Sequence, residues 1–113
     1  MRHLPKHLRP KWRYLAVELE TRAGASIDRR GFQREAWYAG QNLLGDPGSA
    51  NADLSVVRFR FDGRRGEAIV RVRHGEVDRA RAALACVSRI DDVRVGLRVA
   101  KVSGTIRAAE DAF

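Results

Sequence analysis

Two hydrophobic periods meet between Gly66 and Ile90, in GEAIVRVRHGEVDRARAALACVSRI. From Ala68 to Arg73 the residues alternate. Ala68, Val70 and Val72 point one way, and Ile69, Arg71 and Arg73 the other, which is the period of a strand with one face buried. After the His74-Gly75 break the period lengthens. Val77, Ala80, Leu84 and Val87 fall on one stripe of an α-helix, with Glu76 and Asp78 in its first turn, where carboxylates suit the helix dipole. A strand with a cationic outer face thus runs into a helix that covers its inner face. Any fold for this chain must be built around that unit.

The remaining segments fit around it. Trp12 to Glu20 reads as a first strand, with Leu15, Val17 and Leu19 facing a core and Trp12, Tyr14, Ala16 and Glu18 opposite. Ser26 or Asp28 can cap a helix running to about Leu44, with Phe32, Ala36, Ala39, Gly40 and Leu43 as its stripe. Gly45 would end that helix, and Gly45-Asp46-Pro47-Gly48 is turn chemistry. Leu54 to Asp62 reads as a second strand, with Val57, Phe59 and Phe61 inward and Arg58 and Arg60 outward; Gly63 to Gly66 makes the hairpin turn. Asp91-Asp92 turns the chain into a last strand, Val93 to about Val102, with Val95, Leu97 and Val99 inward and Arg94 and Arg98 outward. Ser103-Gly104-Thr105 breaks it, and Ile106 to Phe113 suits a short helix.

The order β-α-β-β-α-β, with a hairpin between the helices, predicts an α+β fold. It is a two-layer α/β sandwich of ferredoxin-like (RRM-like) topology with a short C-terminal helix. Both main helices should cover one sheet face, with the third strand central and the last strand beside the first. Residues 12–113 form a single domain, and residues 1–11 a basic N-terminal arm. Arg58, Arg60, Arg71, Arg73, Arg94 and Arg98 would then share the other face. Six arginines there make a solvated face, an RNA face or a partner face.

Charge narrows the function. The formal net charge is +8 on 113 residues. Arg2, Lys6, Arg9, Lys11 and Arg13 open the chain with no acid among them. A small domain this basic points to nucleic acid, and arginine is the better fork for phosphate. No long apolar run offers a membrane span or the core of a signal peptide, so a cytoplasmic protein with no membrane association is expected. Cys86, the lone cysteine, agrees with that and reads as a half-buried helix residue. Catalytic chemistry is poorly provided. His3 and His7 are separated by Pro5, and His74 ends a strand. Asp91-Asp92 reads better as a turn than as a magnesium ligand pair. No catalytic residue, no metal site and no protein-bound cofactor is expected. Ser103-Gly104-Thr105, flanked by Lys101 and Arg107, is either a phosphate site at a helix start or a plain cap. The candidate RNA-binding residues are Lys6, Arg9, Lys11, Arg13, Arg71, Arg73, Arg98, Lys101, Ser103, Thr105 and Arg107.

Three stretches carry a family likeness. They are LRPKWRYLAVEL (Leu8 to Leu19), LLGDPGSANADLSVVRF (Leu43 to Phe59), and Gly66 to Arg107, which ends in VSGTIR. In order and content the chain resembles archaeal ribonuclease P protein component 2, the small-subunit family shared with eukaryotic ribonuclease P and MRP. The resemblance implies the sandwich derived above and a role as subunit of a tRNA-processing endoribonuclease. In that particle the RNA, with magnesium, hydrolyses precursor tRNA to remove the 5′ leader. The protein, non-catalytic alone, supports the RNA's catalytic domain. Implied partners are that RNA, precursor tRNA indirectly, a partial TIM-barrel ribonuclease P subunit (protein component 3), and a second copy of the chain. Two other readings share the chain order. A free-standing RRM-like single-strand RNA-binding domain would stack bases on aromatics of its central strands, and only Trp12 and Tyr14 are offered. An acylphosphatase-like enzyme needs a phosphate cradle after the first strand and a strand asparagine. The loop Thr21 to Gly24 is present, but Asn42 and Asn51 are not on strands.

Overall fold

The computed structural model describes residues 11–52 and 54–113, the side chains of residues 42–52 excepted. The expected arm, with Lys6 and Arg9, therefore lies outside the described residues except for Lys11. Strand β1 is Trp12–Glu20, helix α1 Arg29–Ala52, β2 Ser55–Phe61 and β3 Arg65–Arg73. A 3-10 turn, His74–Glu76, leads into α2, Val77–Ala85. The ribbon strands β4 (Arg89–Ile90) and β5 (Val93–Arg94) precede β6, Gly96–Ser103, and α3, Ile106–Glu110. The main sheet has the order β2-β3-β1-β6 and is antiparallel throughout, as the split βαβ reading requires.

Alternation places the main core where expected. Leu15, Val17, Ala68, Val70 and Val72 on the inner sheet face pack with Phe32, Ala36, Ala80 and Leu84 of the two long helices. Asp28 is the cap of α1: its Oδ1 accepts from the Gly31 backbone N–H at 2.7 Å. The helix then continues to Ala52, past the expected stop at Gly45 and through the expected turn at Asp46-Pro47-Gly48. Local propensity is a weak prior near element ends, and here the helix overrides it for two further turns. Leu43 belongs to the stretch whose side chains are not described.

Three departures matter more. First, β2 carries a bulge between Val56 and Arg58, which shifts its parity by one. Val56 is thus the fully buried residue, while Val57, expected inward, lies on the opposite face. Second, the last strand does not start at Val93. Asp91 and Asp92 adopt φ of 48° and 68°, which folds Ile90 back on Val93 as a separate two-stranded ribbon. The Val95 N–H then bonds the Ser88 carbonyl at 2.9 Å, and the chain joins the main sheet only at Gly96. Arg94 is therefore not on the sheet face. Third, that face is not open along its length. Helix α3 lies on it, and Ala109 is buried against Ala16 and Ile69, with Tyr14, Val57 and Ala112 packed around them. Cys86, expected half-buried, is exposed just past the end of α2.

Candidate nucleic-acid interface

The antiparallel register sorts charge along the sheet. At one end, β1 begins while β3 and β6 finish. Trp12 pairs with Arg73, Tyr14 with Arg71 and Ser103, and Ala16 with Lys101. Lys11 sits at the same end, its carbonyl accepting from the His74 N–H at 2.9 Å. The acids of these three strands lie elsewhere. Glu18 pairs with Glu67 and Arg98, and Glu20 with Arg65, toward the opposite end. Lys11, Arg13, Arg71, Arg73, Lys101 and Ser103 therefore form a rim with no strand carboxylate among them.

Packing shapes the rim. The Arg71 guanidinium carbon stands 4.3 Å from the centroid of the Trp12 ring, and that of Arg73 stands 5.3 Å away. Trp12 is half-buried, and its indole carries both guanidinium groups within cation–π distance. The Arg71 Nε is buried and has no hydrogen-bond partner. Arg13 Nη1 donates to the Trp12 carbonyl at 3.0 Å and lies 3.7 Å from where a Cβ on Gly104 would stand. Arg13 thus reaches the start of α3. Lys101, Thr105 and Arg107 are exposed, and Ser103 is half-buried opposite Tyr14. The Thr105 hydroxyl accepts from the Ala108 N–H at 3.1 Å, so it caps the single turn of α3.

The other arginines behave differently. Arg98 does not share the rim. It donates to the Glu18 carboxylate at 2.8 Å, because register places it beside that acid. Arg60 bonds Glu67 at 2.7 Å, which also raises the Arg60 pKa, and Arg58 bonds Glu110 at 3.3 Å. Periodicity showed these arginines pointing outward but not the acids beside them. The signal for them was register: once Glu18, Glu67 and Arg98 fall in one row, pairing follows. The Arg71–Trp12 stack was likewise hidden, since it joins diagonal positions of neighbouring strands.

The rim is cationic, with Lys11, Arg13, Arg71, Arg73 and Lys101 at one sheet end. Among the described residues no group of three or more His, Cys, Asp or Glu side chains is placed to hold a metal ion. His74 is exposed. No described helix is long and apolar enough to cross a membrane. Stacking of bases across the sheet centre is obstructed, because α3 covers Ala16 and Ile69 and the two arginines occupy Trp12.

The Rpp14/Pop5 family model matches residues 13–113. Ribonuclease P protein component 2 of Halorubrum lacusprofundi is 62% identical over 113 residues, all of this chain and 71% of that protein. The protein of the same name from Natronomonas pharaonis is 58% identical, over all of this chain and 70% of that one. That from Methanosarcina mazei is 36% identical, over all of this chain and 92% of its own length. A chain in the cryo-EM structure of yeast ribonuclease MRP superposes with a TM-score of 0.64 at 16% identity, covering 88% of this chain and 79% of that one. It shares the fold.

Proposed function

The chain belongs to the Rpp14/Pop5 family, and from that premise we propose that it is the protein component 2 subunit of ribonuclease P, which removes the 5′ leader from precursor tRNA. The hydrolysis falls to the RNA of that particle, with magnesium as the RNA's cofactor. The polypeptide supports the RNA's catalytic domain and meets precursor tRNA only indirectly. A partial TIM-barrel subunit, protein component 3, and a second copy of this chain are its protein partners, and the particle works in the cytoplasm.

The observation that supports an RNA-facing role is the cationic rim at the start of β1, which holds no strand carboxylate. Lys11, Arg13, Arg71, Arg73 and Lys101 bring positive charge to one sheet end, and the Trp12 ring carries two of the guanidinium groups at cation–π distance. Lys6 and Arg9, candidate RNA-binding residues by sequence, lie outside the described residues, and Ser103, Thr105 and Arg107 extend the surface along the start of α3. Such contacts read the RNA backbone and its shape rather than base sequence. Arg98 contributes less, since Glu18 already neutralises it.

The test is affinity for ribonuclease P RNA across a salt series. Arg71→Ala, Lys101→Ala and Arg107→Ala should each weaken binding and flatten the plot of log affinity against log salt by about 0.7 to 0.9. Unchanged slopes in all three, with loss of protein-subunit pairing instead, would make the rim a protein-docking surface.

A further inference from the structure

The rim is one of two arginine clusters. At the opposite end of β1, the β4–β5 ribbon sets Arg89 directly across from Arg94. Like charges placed opposite one another destabilise a ribbon. No salt bridge within the ribbon relieves them among the described residues. Ile90 and Val93 form the inward pair and are buried, so both arginines project from the outward face, where both are exposed. Arg22, also exposed, follows β1 and lines the same cleft of about 630 Å³. Glu20 and Asp92 line it too, yet no salt bridge to Arg22, Arg89 or Arg94 exists among the described residues. Arg34, Arg58, Arg60, Arg79 and Arg98 each have a carboxylate partner.

The ribbon is also rigidly held. Val95 is buried and its N–H bonds Ser88. The Asp91 carboxylate takes a hydrogen bond from Arg34 on α1. Gly31 lets α1 come so close that a Cβ there would stand 2.6 Å from Asp91 Oδ2. Two arginines of like charge thus face each other in register on a support anchored to the core.

We propose that Arg22, Arg89 and Arg94 form a second phosphate-binding site that takes the backbone of an RNA strand. Arginine forks in a row suit successive phosphodiester oxygens, and bound phosphate would remove the repulsion that the free ribbon carries. The nine-residue β1 separates this site from the rim by roughly 27 Å. No single phosphate reaches both, so the protein bridges two RNA segments or two parts of one. The choice of RNA as ligand rests on the ribonuclease P reading; the site itself rests on the ribbon.

The experiment uses the full chain and ribonuclease P RNA, with a salt series for Arg89→Ala/Arg94→Ala, for Arg22→Ala, and for Arg71→Ala at the rim. The double variant should lose affinity at least tenfold at low salt and flatten the salt slope by about 1.4 to 1.8, two phosphate contacts' worth. Its melting temperature should hold or rise, since a like-charge pair has gone. Arg89→Lys/Arg94→Lys should recover most of the slope but only part of the affinity. An unchanged slope in the double variant, with Arg71→Ala still flattening it, would overturn the second site and leave the ribonuclease P reading intact. A flat response from Arg71→Ala alone would count against the rim and not against the ribbon. If the double variant instead loses only its pairing with the partner subunit, the ribbon binds protein carboxylates and the proposal fails.

Discussion

Replacing Ile69 by Ala tests the unexpected cover on the second sheet face. Ile69 is 1% exposed, on the side of β3 away from α1 and α2, and packs with Ala16 and Ala109. The substitution removes three side-chain carbons from that cluster. In a buried site such a truncation costs about 2–5 kcal/mol, part transfer free energy and part cavity. The cover here is one short turn of helix, which can settle onto a smaller residue, so the low end applies, at about 2 kcal/mol. On an open sheet face the same change would cost only about 0.5 kcal/mol. Urea unfolding separates the cases. With a slope of about 1.5 kcal/mol/M, the midpoint should fall by about 1.3 M and the slope should not change. A fall of less than about 0.4 M would show that α3 does not seal the face and that the cluster is a surface contact.

Other outcomes follow from the same contacts. A double-mutant cycle with Trp12→Leu and Arg71→Ala, read by urea unfolding, should give a coupling of about 0.5–1 kcal/mol, while additivity within error would refute the stack. The Asp62 carboxylate accepts backbone hydrogen bonds from Arg65 and Arg64, which lower its pKa. Because the folded value is depressed, its contribution to stability is present above the ordinary carboxylate range and fades as pH falls through the folded value. Followed by NMR, Asp62 should titrate below the ordinary aspartate range, and a normal midpoint would mean the turn is not closed. Removing residues 1–10 should leave the melting temperature nearly unchanged and weaken RNA-dependent activity, whereas a large drop in melting temperature would show that the arm packs on the domain.

How far the sequence can be read depends on the range of the signal. β1, β3 and α2 were legible because alternation and the helical stripe are local, and the hairpin between the helices then set the strand order. The parity of β2 was legible at Phe59 and Phe61, which pack on the core as expected, but not at Val57, since a one-residue bulge there leaves no local trace yet reverses which valine is buried. The lid was also invisible: Ile69 and Ala16 looked like isolated apolar residues on a charged face because their partner, Ala109, is forty residues from one and farther still from the other. Arg94 read as an outward residue of the last strand until Asp91 and Asp92 at positive φ set it opposite Arg89. The basic rim was legible as composition, in Lys11, Arg13, Arg71, Arg73 and Lys101. What turned it into a surface was register, which sends Glu18, Glu20 and Glu67 toward the other end.

The most direct test of the central claim is the magnesium dependence of precursor tRNA cleavage by ribonuclease P RNA, with and without this chain and its partner subunit. The RNA with both proteins should cleave at lower magnesium than the RNA alone, and the RNA-free proteins should not cleave at all. Cleavage by rigorously RNA-free protein, or an unchanged magnesium requirement when the chain is added, would contradict the assignment.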